Sequence, residues 1–204
     1  MHRYADGYEA TWQRNDTLFV LWIGINDIST MNNMPGHNMT VMDRIETKLS
    51  FRLLNSLYGV GARNFLLLNV PPIDRCFFFP PVSQEVKDNY KADIATYNRH
   101  IQSVAGDLQG EFLPANVWVF DTNSLFNEAL DDPMRFEQTK DIKNTDSFCP
   151  AYAFGTPTTH YENPVCDFPV NEYFWLNGLH PTFMIHDALA EKVAGMLGRG
   201  PNAC

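Results

Sequence analysis

Two apolar runs stand out early in the chain. Leu18 to Ile25 (LFVLWIGI) and Asn64 to Val70 (NFLLLNV) are continuous rather than alternating, the pattern of strands buried on both faces of a parallel sheet. Between them, Thr40 with Asp43 three residues on is a capping-box variant. Val41, Ile45, Leu49, Leu53 and Leu57 then recur at four-residue steps, predicting a helix that Gly59 and Gly61 stop. Pro71 and Pro72 end the second strand, and Ser83 caps a long helix with Val86, Tyr90, Ile94, Tyr97, Ile101 and Leu108 on its stripe. Val117 to Asp121 reads as a third short strand, Asn123 to Leu130 as a helical turn or two, and 132–171 as a long irregular insertion. A final helix from Phe183 to Leu197 sets Ile185, Leu189, Val193 and Leu197 on one face, with Gly198 after it. Strands alternating with helices predict an α/β fold built on a parallel sheet. Neither a repeat nor a linker interrupts the pattern, so one domain over residues 1–204 is expected.

Composition narrows the class. With 45% hydrophobic and 19% charged residues the chain has the material for a core. A net charge of −9, with no basic run longer than two residues, suits neither nucleic acid nor an anionic membrane as a partner. No apolar window reaches membrane-spanning length, and MHRYADGYEATWQRND lacks the layout of a secretory signal. The body of the chain nevertheless has a secreted style. Asn15-Asp16-Thr17 and Asn38-Met39-Thr40 are glycosylation acceptors, and Cys76, Cys149, Cys166 and Cys204 allow three pairings. Cys149 and Cys166 flank a polar loop and are the pair expected to close, stabilising by ~3 kcal/mol on the chain-entropy model.

Two short segments carry candidate chemistry. Functional loops of a parallel α/β sheet lie beyond the carboxyl ends of its strands, and the first such loop is Gly24-Ile25-Asn26-Asp27. A glycine there lets backbone approach a ligand, and Asn26 can aim an amide N–H at a developing oxyanion. An ordinary turn would also use these residues, with Asp27 pinning the loop. The second segment, FWLNGLHPT, fixes His180 between the Gly178 turn and Pro181, as a general base requires or as a capping histidine would be held. Metal chemistry is not expected: there is no HExxH or CxxC, and His2, His37, His100, His160 and His186 are scattered. His186 reads as a surface or boundary residue. Gly59-Val60-Gly61-Ala62 follows a helix instead of a strand, so it is a helix stop and not a phosphate loop. Tyr152, Phe154, Tyr161, Tyr173, Phe174 and Trp175 around the insertion supply aromatic surface for sugar rings, although half or more are expected in the core.

The pair WIGIND and FWLNGLHPT resembles the SGNH or GDSL hydrolase superfamily, and its wording is similar to fungal carbohydrate esterase family 16 acetylesterases. The superfamily has four blocks: a GDS-type serine, an oxyanion-hole glycine, Gly-x-Asn-Asp and Asp-x-x-His. The third stands as Gly24-Ile25-Asn26-Asp27, which implies Asn26 and Gly24 in the oxyanion hole. The fourth stands as Asn177-Gly178-Leu179-His180, which implies His180 as base with Asn177 as its orienting partner. The resemblance implies a three-layer α/β/α, flavodoxin-like sheet, here lacking the first strands. It also implies ester hydrolysis through an acyl-serine, with no cofactor, on a small-molecule or oligosaccharide ester of a secreted enzyme.

Two departures shape the expectation. No serine occurs in the 23 residues before Gly24, so the nucleophile is expected outside this chain, as is the second block. Asp146-Ser147 lies in an acidic loop with no strand before it, and Ser29 sits where the oxyanion loop must be, so neither reads as a substitute. Asn177 replaces the aspartate of the fourth block and brings no charge; Glu172 or Asp167 are the carboxylates near enough in sequence to compensate. The competing class is a carbohydrate-binding relic that binds without hydrolysing. Without its first strands, the Leu18 strand would be an exposed apolar edge.

Overall fold

The computed structural model describes residues 12–14, 16–32, 52–77, 81–111 and 114–202. Three parallel strands, β1 (Leu18–Trp22), β2 (Asn64–Leu68) and β3 (Asn116–Phe120), form a sheet in the order β1-β2-β3. The register pairs Leu18 with Asn64 and Asn64 with Asn116. The helices are α1 (Ile25–Asn32), α2 (52–59), α3 (Gln84–Glu111), α4 (Thr122–Asp131) and α5 (Phe183–Leu197). The fold is α/β.

In β2, Phe65, Leu66, Leu67 and Leu68 are buried in succession, which requires cover on both faces of the sheet. On α3, Tyr90, Ile94, Tyr97, Ile101, Val104 and Leu108 are all buried, and the helix packs on β2 and β3. Its first turn is capped as the sequence predicts, Val86 N–H donating to Ser83 Oγ. At its C-terminal end the chain closes onto β3: Val119 N–H donates to Asn202 Oδ1 at 2.8 Å, and Asn202 Nδ2 donates to the Val119 carbonyl.

Three sequence expectations change. The first strand is five residues long, not eight, and it is not buried on both faces: Val20 is 56% exposed. Pairing only with β2, it has an edge strand's environment among the described residues. Its last three expected residues leave the sheet, and Ile25 opens α1 in place of a loop. The second strand ends at Leu68: Asn69 N–H still donates to the Phe120 carbonyl of β3, but Val70 N–H turns to Asn98 Oδ1 on α3. The capping pair Thr40 and Asp43, with Val41, Ile45 and Leu49, lies outside the described residues, as do the two glycosylation-acceptor asparagines, Asn15 and Asn38. In the described part of α2 the inward residue is Leu54, fully buried, while Leu53 is 47% exposed. The helix does end at Gly59, and Gly61, whose φ of +110° suits glycine, turns the chain after it.

A polar brace ties the carboxyl ends of β2 and β3. Asn69 Nδ2 donates to Asp121 Oδ1 at 2.8 Å, and Asn123 N–H donates to Asn69 Oδ1 at 2.9 Å. Asn98 on α3 accepts from Val70 N–H and donates to its carbonyl. Burial would raise the Asp121 carboxyl, but hydrogen bonds from Ser124 and Asn69 outweigh it and hold the group below its ordinary value. Trp22 joins the brace by donating its indole N–H to the Asn69 carbonyl.

Residues 132–171 are irregular, as expected, with three single-turn helices at Pro133–Arg135, Pro150–Tyr152 and Val170–Glu172. Cys149 and Cys166 form a disulfide over a sequence separation of 17. The small core under it is aromatic: Tyr152 and Tyr173 are buried against Tyr161 and Phe168. Phe154 is exposed, and Phe174 and Trp175 belong to the main core. Among the described residues no helix is long and apolar enough to cross a membrane.

Candidate active site

Beyond the carboxyl end of β1 lies a cavity of about 480 Å³. Gly24, Asn26 and Asp27 line one side, and His180 with Leu179 and Pro181 lines another. The two segments singled out in the sequence, far apart along the chain, therefore face one crevice.

Gly24 is buried and has φ +110°; a Cβ there would lie 2.4 Å from Tyr97 Cε1. Only glycine lets the chain turn from β1 into α1 beneath that ring. Its carbonyl accepts from Ile28 N–H at 3.0 Å, the first bond of α1. The peptide N–H groups of the first turn thus point toward the crevice end of the helix, where its dipole favours negative charge. Asn26 sits exposed in that turn, and Asp27 adds the carboxylate that such an end favours. The four-residue pattern gave no sign that a helix begins there. Asn32, at the other end of α1, is anchored by donating to Asp93 on α3 at 2.7 Å.

Residues 177–180 form a tight turn held by its own side chain. Asn177 Oδ1 accepts from Leu179 N–H at 3.0 Å and from His180 N–H at 2.9 Å, and it lies 3.0 Å from His180 Nδ1. Asn177 Nδ2 donates to the Ala153 carbonyl at 3.1 Å, so the amide oxygen is the end that faces the ring. That oxygen can only accept; Nδ1 therefore carries the imidazole proton, and Nε2 keeps its lone pair. The turn is seated on the adjoining loop: a Cβ on Gly178 would come within 2.4 Å of the Phe77 carbonyl oxygen. Thr182 at the start of α5 donates its hydroxyl to Tyr173 and its N–H to Phe174, fixing the segment behind His180.

The other candidates sort clearly. Glu172 pairs with Lys143 at 2.8 Å, so it is engaged away from His180, whose ring nitrogen is met by Asn177. Asp167 is exposed on the insertion. Ser147 is held by Asn144, with its N–H donating to Asn144 Oδ1 at 2.8 Å, and it does not line the crevice. Ser29, on α1, does line it. His186 is exposed, in keeping with a surface or boundary residue, and it also forms part of the crevice wall, edge-on to Trp22 and Phe126. Desolvation there lowers its imidazole below the usual 6.5, against the pull of Asp187.

Sequence reasoning missed Trp22, Tyr90, Phe126 and Cys76 as wall residues, since each arrives from a different element. Cys76 beside His180 and Asn177 has the residue types of a thiol protease. Its thiol, however, donates to the Leu179 carbonyl, and burial with the nearby Asp74 pushes it up to about 12. It stays protonated and is no nucleophile. No group of three or more His, Cys, Asp or Glu suited to a metal occurs among the described residues.

A model of the GDSL-like lipase/acylhydrolase family matches residues 5–193. The chain belongs to that family. Within it, this GDSL-like chain is 30% identical over 190 residues to an acetylesterase of Thermothelomyces thermophilus, covering 91% of the chain and 54% of the relative. It is 28% identical over 186 residues to the thermolabile hemolysin of Vibrio parahaemolyticus serotype O3:K6, covering 87% of the chain and 40% of that protein. The GDSL-like chain thus spans about half the length of the curated relatives it matches.

Proposed function

We propose that this chain carries the general base and part of the oxyanion hole of a secreted serine esterase acting on acetyl esters of carbohydrates. The observation that carries the reading is the Asn177 Oδ1 to His180 Nδ1 contact of 3.0 Å, which leaves Nε2 as acceptor in the crevice shared with Asn26. The acetyl group as acyl part draws support from the similarity to an acetylesterase, and the partly exposed Trp22 in the wall suits a sugar ring. The nucleophilic serine is assigned to residues outside these 204, because the chain's recognisable blocks are only the third and fourth of the family.

In this mechanism His180 Nε2 takes the proton from the serine hydroxyl as its oxygen attacks the ester carbonyl. The oxyanion that forms is met by the Asn26 side-chain amide and by the N–H end of α1. As the tetrahedral intermediate collapses, the imidazolium returns the proton to the leaving sugar oxygen. Water, deprotonated by the same nitrogen, then releases acetate from the acyl-serine. Asn177 orients the ring without a countercharge, so the imidazolium is stabilised less than an aspartate would manage.

The test is hydrolysis of acetylated oligosaccharides by the intact protein and its His180→Ala variant. Loss of kcat by at least about 10³-fold is expected, with Asn26→Ala losing about 10²-fold, the scale of one oxyanion donor. A binding-only reading draws on the same aromatic wall; it predicts that His180→Ala leaves sugar affinity unchanged and that the parent hydrolyses nothing.

A further inference from the structure

A second cavity, of about 450 Å³, opens to solvent beside the crevice. The two share a wall. In the strip 73–77, Ile73 and Cys76 line the crevice, while Asp74, Arg75 and Phe77 line the second cavity. This strip packs on the histidine turn: Cys76 Sγ donates to the Leu179 carbonyl, and the Phe77 carbonyl lies against Gly178. Trp175 bridges the same wall, lining the crevice while its indole N–H donates to the Thr145 carbonyl of the second cavity at 3.0 Å. One thickness of chain therefore separates the crevice from a polar cleft.

The lining of this cleft is matched to hydroxyl groups. Asp74, Asp88 and Asp146 are balanced there by Arg75, Lys87 and Lys91, and Arg75 is already paired with Asp131 at 2.8 Å. No surplus of positive charge is left for an anionic ligand. A sugar hydroxyl both donates and accepts, so carboxylates and ammonium groups serve it alike. Asp74 is half-buried, and desolvation raises its carboxyl above the ordinary value despite Lys91, Arg75 and Lys87 nearby. Hydroxyl donors would restore the hydrogen bonds that burial removed. The half-buried ring of Phe77, edge-on to Phe148, adds apolar surface for the C–H face of a sugar.

We infer that this cleft is a second saccharide subsite, taking a neutral sugar unit next to the one whose acetyl ester is cleaved, with Asp74 and Lys91 as its specificity-determining residues. The inference deepens the proposed function and rests on it for the substrate class. It has a distinctive consequence: acetylated oligosaccharides are preferred over acetyl esters of small alcohols, which cannot reach across the wall. Neither Asp74 nor Lys91 meets the reacting ester. Their loss therefore weakens binding of the longer substrate and leaves the chemical step as it was.

The experiment assays Asp74→Asn and Lys91→Ala in the intact protein on acetylated cellotetraose and on p-nitrophenyl acetate. For the oligosaccharide, KM is expected to rise about tenfold in each variant with kcat within about twofold, the scale of one hydrogen bond to a charged group. For p-nitrophenyl acetate, kcat/KM is expected to stay within about twofold. Equal losses on both substrates, or no loss on the oligosaccharide, overturn the subsite. Titration calorimetry with unacetylated cellotetraose reads the cleft without turnover, and a Kd about tenfold weaker in both variants is expected. No binding by the parent, unchanged affinity in the variants, or tighter binding of anionic tetragalacturonate than of cellotetraose overturns the proposal. Undiminished hydrolysis by His180→Ala overturns instead the catalytic reading beneath it, and the titration still decides the subsite. Lys91 is exposed on α3, so its variant keeps the fold should Asp74→Asn fail to.

Discussion

A methyl group on Gly24 would sit 2.4 Å from Tyr97 and 2.8 Å from Val70, at a φ where side chains are strained. Gly24→Ala is therefore expected to destabilise the fold by about 1–3 kcal/mol from overpacking, more with the strain, as read from a urea midpoint. Its presence in the motif has a packing reason before any catalytic one. His186 carries the pH prediction at this scale. Its imidazole is lowered in the folded state, so unfolded chains take up the proton first as pH falls below about 6.5. Stability from this group is full above that value and declines as pH falls toward the folded value. The thermal midpoint should drop from pH 7 to 5, and His186→Gln should flatten that drop. An unchanged slope in the variant would show that other groups carry it.

Among elements, α2 and α1 show where periodicity reads well and where it slips. A four-residue step identifies a helix, but it marks the inward face only to within a residue, and here the buried leucine is Leu54 beside the expected Leu53. Leu54→Ala is expected to cost about 2–5 kcal/mol, whereas Leu53→Ala stays within about 0.5 kcal/mol, as measured by chemical denaturation. The α1 helix was hidden because its first residues, Ile25 to Asp27, continue an apolar run and contain turn formers. Hydrogen bonding from Ile28 back to Gly24, made possible by the glycine's positive φ, ends the strand early. By contrast α3 and α5 were legible: their stripes are long, and Ser83 and Gly198 mark their limits.

For the molecule as a whole, the insertion is the part that depends most on distant partners. Its own core is Tyr152, Val170 and Tyr173 with Cys149, too small to stand without the bond to Cys166. Losing that disulfide should lower stability by ~3 kcal/mol, visible as a lower thermal midpoint under reductant. The candidate site was partly legible in the same way. Residues 177–180 interact within four positions, so their spacing marks them as one local unit, as does the Gly-x-Asn-Asp pattern. The wall made by Trp22, Tyr90, Phe126 and His186 could not be read, because each side chain comes from a separate element. The amino-acid sequence by itself determined the α/β order of elements, the long helices, the two short motifs and the family they belong to, since all of these rest on local periodicity and fixed spacing. Tertiary structure alone decided that the two motifs share a crevice, that Cys76 stays a protonated thiol, and that Ala153 meets the Asn177 amide. Those depend on which groups remove one another from water across tens of residues, and no local pattern encodes that.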